Sequence, residues 1–212
     1  MEVKTFTFNE FQENTYVLYD DTKECIIIDP GCNNEAEQAE LVDFIESNSL
    51  KPVKLVNTHC HIDHVLGNDF VARKYHLSLE AHEGESAVLS NMQSVANMYG
   101  IPYVPSPPIE VHLDETKVLK FGNTEMEILF TPGHSPASVS FFHRASDQLI
   151  AGDVLFRGSI GRTDLPGGNF DTLIASIKDK FYPLGEDVIV YCGHGPTTTI
   201  GMEMRTNPFL IG

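Results

Sequence analysis

The sequence predicts an α/β fold in which two β-sheets pack face to face with helices on the outside. Three observations point there. Strand-like segments come in two runs along the 212 residues. Each run has helical segments attached, the pattern of a layered sandwich. No repeat or low-complexity linker interrupts the chain, so one domain spanning residues 1–212 is expected, with ample length to bury a core.

The elements follow in order. TYVLYDD and ECIIIDPG are rich in β-branched and aromatic residues and close on turn signals, so both read as strands. NNEAEQAELVDFIESNS, with Leu41, Val42, Phe44 and Ile45 among good helix formers, reads as a surface helix. VKLVNTH is a buried strand that runs directly into a histidine cluster. A helical pattern covers Leu66 to Tyr75, LSLEAH is a short strand, and GESAVLSNMQSVANMYG is a helix stopped by Gly100 and Pro102. IPYVPSPPIEV holds four prolines and must be an extended loop. The second run comprises KVLKFG, TEMEILFTP, SVSFFHR and QLIAGD, then a helix at FDTLIASIKDKFY and a last strand and turn at DVIVYCGHG.

Composition narrows the function. Lys and Arg number 14 against 30 Asp and Glu, a formal charge of −16. Such a surface repels polyanions and argues against a nucleic-acid partner. No stretch approaches the ~18 apolar residues of a membrane span, and MEVKTFTFNEFQENT has no signal-peptide pattern. Cys25, Cys32, Cys60 and Cys192 are scattered without a CxxC, which fits a reduced, cytoplasmic setting. Cys25 and Cys192 read as strand packing.

The chemistry concentrates in NTHCHIDHVLGN, where three of the nine histidines fall between His59 and His64. In an extended segment residues i and i+2 project to one side. His59 and His61 can therefore reach one point while Cys60 faces away. If a helix begins just after, Asp63 and His64 lie near its first turn and face the same region. Imidazole and carboxylate suit zinc, and imidazole also suits iron, nickel and copper. Three later strand ends deliver further metal-type ligands in Gly-containing turns: His134 in TPGHSPAS, Asp153 in LIAGDVLF and His194 in VIVYCGHGP. His76, His112 and His143 are assigned to surface or strand positions, His82 to a helix start, and Ser135 to turn chemistry.

THCHIDH resembles the THxHxDH signature of the metallo-β-lactamase superfamily, and TPGHSPAS, GD and GHGP resemble its later metal motifs in the same order. The resemblance covers nearly the whole chain. It is strongest to short glyoxalase II-like hydrolases, through GDVLFRGSIGRTDLPGG and GHGPTTTIGMEMRTNPFL. It implies a four-layer αββα sandwich with the metals at one edge of the two sheets. By position, His59, His61 and His134 resemble the ligands of one metal, Asp63, His64 and His194 those of a second, and Asp153 the bridge. Two divalent ions are implied, zinc first, with iron or manganese as alternatives.

The implied activity is hydrolysis of a small-molecule thioester by a metal-bound hydroxide, with Asp63 and Asp153 as catalytic groups. Longer glyoxalase II enzymes add a helical domain that holds glutathione, whereas here 18 residues follow His194. Arg162 in GSIGRTD matches a lysine that contacts glutathione in those enzymes. It is a candidate substrate contact, with pairing to Asp164 as the alternative. A mononuclear-iron persulfide dioxygenase is the second reading, because His59, His134 and Asp153 also match its iron ligands and GRTD recurs there. A non-catalytic metal-binding module is the third. The oligomeric state is not encoded in any motif.

Overall fold

A computed structural model describes residues 1–211. The chain divides into two compact units, Met1–His112 with Lys120–Thr124, and Leu113–Leu119 with the residues from Glu125 onward.

The first unit is built on β1 (Glu2–Phe8), β2 (Glu13–Tyr19), β3 (Glu24–Ile28), β4 (Lys51–Val56), β5 (Leu79–Ala81) and β6 (Ile109–His112), ordered β1-β2-β3-β4-β5-β6. The first three strands are antiparallel neighbours, and β3 to β6 run parallel. Parallel strands require crossovers. These are α1 (Glu35–Ser47), the pair α2 (Ile62–Val65) and α3 (Asn68–Tyr75), and α4 (Ser86–Tyr99). Asn34 caps α1 by accepting from the amides of Ala36 and Glu37. Leu41 and Ile45 of α1 and Val71 of α3 join Phe6, Phe8, Val17, Ile27 and Leu55 in one core cluster. Met92 and Ala96 of α4 pack with Cys60, Ile62 and Val65 in another.

Two strands here were not anticipated. β1 buries only Phe6 and Phe8 along VKTFTF, an alternation that leaves its other face wet. β6 lies at the end of the segment expected to be a loop, and its pairing to β5 is tertiary rather than local.

The second sheet is ordered β14-β13-β10-β9-β8-β7. Its strands are β7 (Val118–Phe121), β8 (Thr124–Phe130), β9 (Val139–His143), β10 (Gln148–Gly152), β13 (Ile189–Cys192) and β14 (Thr198–Thr199). A small hairpin, β11 (Leu155–Phe156) with β12 (Ser159–Ile160), stands apart. The expected long helix is instead α5 (Phe170–Ser176), a π-turn over Ile177–Phe181 and a 3₁₀ turn at Tyr182–Leu184. The wider turn keeps Leu173, Ile177 and Phe181, each four residues apart, buried in the same core. α6 (Ile200–Thr206), also not anticipated, adds Ile200 to that core. Among the described residues no helix is long and apolar enough to cross a membrane.

All four cysteines are buried thiols. Burial pushes those of Cys25, Cys32 and Cys192 up to about 12 and that of Cys60 well above the ordinary thiol range. Because the folded pKa values are raised, the stability tied to Cys25, Cys32 and Cys192 is fully present below the unfolded value of about 8.5 and lost as pH rises toward about 12. Equilibrium denaturation should therefore show stability falling above about pH 9, by up to ~1.4 kcal/mol per pH unit for each thiol. Cys25→Ala should flatten the alkaline limb; identical slopes in variant and parent would contradict this.

Candidate metal centre

In the first unit, the parallel pairing of β3 and β4 brings their C-terminal ends together. The Asp29 amide donates to Val56 O at 2.9 Å. The chain then leaves β4 extended, and His61 (φ −69°, ψ 158°) starts α2. The rings of His59 and His61 lie perpendicular with centroids 4.8 Å apart. Cys60 between them is fully buried beside Ile62, Val65 and Met92, so it faces away as expected. His64, in the first turn of α2, brings its ring to 4.1 Å from that of His59 and its Nε2 to 3.6 Å from Asp63 Oδ2. His59 and His64 are buried; His61 and Asp63 are half-buried.

A residue outside the predicted set organises this one. Asp29 is buried and accepts four hydrogen bonds. Oδ1 takes the Thr58 amide (2.7 Å) and Asn57 Nδ2 (3.2 Å), while Oδ2 takes the Thr58 hydroxyl (2.5 Å) and His64 Nδ1 (3.1 Å). With its own proton on Asp29, the Thr58 hydroxyl accepts from His59 Nδ1 at 3.1 Å. Both histidines thus carry their ring proton on Nδ1 and turn the Nε2 lone pair toward the ligand side. Glu13, buried behind His64 at 3.9 Å, is a second acid the sequence did not flag. Burial holds its carboxyl well above the usual range, partly countered by His64.

In the second unit, β10 pairs parallel with β13 and antiparallel with β9, and β9 is antiparallel to β8. Strands β8, β10 and β13 therefore point the same way, and each places one candidate ligand just beyond its C-terminal end: His134, Asp153 and His194. The antiparallel β9 delivers none. Asp153 Oδ2 lies 3.4 Å from His134 Nε2 and 3.5 Å from His194 Nε2. His134 Nδ1 donates to the Arg162 carbonyl at 2.8 Å, which fixes its tautomer. Two glycines permit the approach. A Cβ on Gly161 would fall 1.9 Å from Asp153 O, and Gly133 adopts φ +129° with Leu173 N only 2.3 Å from where its Cβ would be. Ser135 is buried in the turn, its carbonyl bound by the Gly133 amide. The Arg162 side chain forms a two-pronged pair with Asp164, at 2.7 and 2.8 Å, which lowers the Asp164 carboxyl to about 2.

Both units pose the same electrostatic problem. In the assigned tautomers, an Nε2 lone pair faces a carboxylate oxygen at His64–Asp63 and again at His134–Asp153. Two acceptors confront each other at 3.6 and 3.4 Å. A cation resolves that repulsion. With ligand bonds of about 2.0–2.1 Å, a tetrahedral zinc sets its donors roughly 3.3–3.4 Å apart, so these separations fit one. The donor set fits divalent metal.

Residues 8–194 match the metallo-beta-lactamase superfamily. The chain belongs to the metallo-β-lactamase superfamily. It is 38% identical to the hydroxyacylglutathione hydrolase GloC of Haemophilus influenzae, over 99% of this chain and 98% of that protein. The crystal structure of the BLEG-1 B3 metallo-beta-lactamase superposes with a TM-score of 0.91 at 39% identity, covering 100% of both chains. TTHA1623 in a di-iron-bound form gives 0.88 at 35% identity, covering 98% of this chain and 100% of that one. The chain thus has the metallo-β-lactamase fold, as the strand order and motifs predict, and is a metallo-hydrolase of that superfamily with histidine and aspartate groups suited to metal. The lone histidines also fall as expected. His82 caps a short helical turn by accepting from the Gly84 amide, His76 ends α3, and His112 is exposed.

Proposed function

We propose that the chain hydrolyses a small-molecule thioester of the hydroxyacylglutathione type. The two ligand sets would serve one binuclear centre, with His59, His61 and His134 on one metal, Asp63, His64 and His194 on the other, and Asp153 between them. The observation that carries this reading is the donor set itself, with its tautomers fixed from behind, in a chain 38% identical to a named thioester hydrolase along its length. Bound divalent metals would lower the pKa of water toward about 7 and polarise an acyl carbonyl. Asp63, half-buried, serves in this reading as a proton acceptor as well as a ligand. Zinc is the first choice of metal; the di-iron relative keeps iron in view, with manganese a third option. The proposed setting is cytoplasmic.

Metal analysis of chelator-free protein, combined with turnover assays, tests the proposal. Two equivalents of metal and hydrolysis of a hydroxyacylglutathione are expected. One tightly held iron with oxygen uptake on glutathione persulfide would replace the reading by a dioxygenase. Turnover of a β-lactam alone would align the chain with its BLEG-1 relative.

Arg162 is proposed to meet an anionic thiol carrier. Its side chain is 56% exposed and already holds Asp164, so the carrier would compete with or extend that pair. Arg162→Ala should raise KM for an anionic thioester several-fold more than for a neutral one, with metal retained. Equal effects on both substrates would assign Arg162 to its pair with Asp164.

A further inference from the structure

The helix that carries Asp63 and His64 is a single turn, Ile62–Val65, with no side-chain cap at its start. A turn this short does not sustain itself, because nucleation is unfavourable and its last carbonyls have no partner within the helix. Three side chains from three distant segments supply those partners. Asn9, in the turn after β1, donates from Nδ2 to Asp63 O at 3.0 Å. Asn57, at the end of β4, donates from Nδ2 to His64 O at 3.0 Å. Ser106, in the proline-rich loop, donates from Oγ to Val65 O at 3.3 Å. Three successive carbonyls of the ligand-bearing turn are each held from outside.

The donors are committed in a fixed sense. The second Nδ2 hydrogen of Asn9 goes to Gly31 O (3.1 Å), and its Oδ1 accepts the Phe11 amide. The second Nδ2 hydrogen of Asn57 goes to Asp29 Oδ1. Asn68 then ties two of the three together, donating to Asn57 Oδ1 at 2.7 Å and to Ser106 Oγ at 3.2 Å. Tyr103 Oη accepts the Ser106 amide at 3.0 Å and gives its own proton to Ser106 Oγ, also at 3.0 Å. Ser106 stands between Pro105 and Pro107, whose rings restrict the backbone on both sides, so its hydroxyl is presented at low entropic cost.

We propose that Asn9, Asn57 and Ser106, braced by Asn68 and Tyr103, are positioning residues for the metal ligands Asp63 and His64. They suspend α2 so that the two side chains keep their aim. This rests on the proposed metal-dependent function, but half of its test does not need the metal.

In metal-free protein, hydrogen exchange of the peptide covering residues 62–66 should quicken about 10-fold or more in Ser106→Ala and in the near-isosteric Asn9→Asp. Exchange in β2 and β10 should be unchanged. In a chelator competition with zinc, the same variants should weaken one of the two zinc equivalents about 10–100-fold, the range seen for outer-shell partners, and leave the other near its parent value. Ser106→Thr, which keeps the hydroxyl, should restore both readouts. Unchanged exchange at 62–66 with unchanged zinc affinities would overturn the clamp while leaving the metal reading intact. Equal loosening of every strand, or equal weakening of both zincs, would overturn it in favour of a general structural role. A parent protein that takes up no zinc, iron or manganese would overturn the metal reading itself, and the positioning role with it.

Discussion

Asp153→Ala is expected to cost the protein most of its metal and more than the ~10–100-fold of activity typical of losing an outer-shell partner. Two imidazole nitrogens converge on a single oxygen of this carboxylate, at 3.4 and 3.5 Å. Alanine would leave His134 and His194 with no negative charge between them, and in the proposed reading the metals would lose the carboxylate they share. Asp153 itself is only 8% exposed, so water cannot readily take the carboxylate's place. Folding should survive, because His134 keeps its bond to the Arg162 carbonyl and β10 keeps its pairing to β13. Elemental analysis and steady-state turnover on the purified variant check this. Two equivalents of metal together with a rate within tenfold of the parent would remove Asp153 from the bridging role.

Where the sequence could be read, the reason was local periodicity. The same-side rule for i and i+2 put His59 with His61 and turned Cys60 inward, and the rings and the Cys60 burial agree with it. Strand-end glycine turns pointed to His134, Asp153 and His194 because β8, β10 and β13 run in one direction. What escaped depends on partners far along the chain. Asp29 reads as the start of a DPG turn, and its importance emerges only when β3 pairs with β4 and the Thr58 and His64 donors arrive. Glu13 offers no hint that a carboxyl at the head of a strand will be fully buried. α6 is only seven residues long and its apolar stripe is just Ile200 and Met204, too little to announce a helix. Its Glu203 is buried instead, accepting from the Gly158 amide, Asn207 Nδ2 and the Thr198 hydroxyl. Four prolines do impose an extended path on the loop, but nothing local in it shows that Ser106 will reach α2 or that the segment ends in a strand.

The Asp29 variants should separate holding the fold from aiming the ligands. Asp29→Ala abandons four donors in a site that is 2% exposed. Breaking a buried charged network of this kind costs about 3–5 kcal/mol, so the urea midpoint should fall sharply. Asp29→Asn keeps the volume and half of the acceptor capacity, and should lose much less stability. Its effect on metal should nevertheless be severe. Set one way, the amide NH₂ confronts the Thr58 amide and Asn57 Nδ2. Set the other way, it confronts the Thr58 hydroxyl and His64 Nδ1. The second orientation makes His64 accept at Nδ1 and carry its proton on Nε2, where a metal would need the lone pair. Zinc affinity of the asparagine variant should therefore drop at least 10–100-fold while most of its folding stability remains. If asparagine restores metal affinity along with stability, the carboxylate is a packing element and the tautomer of His64 is set by something else.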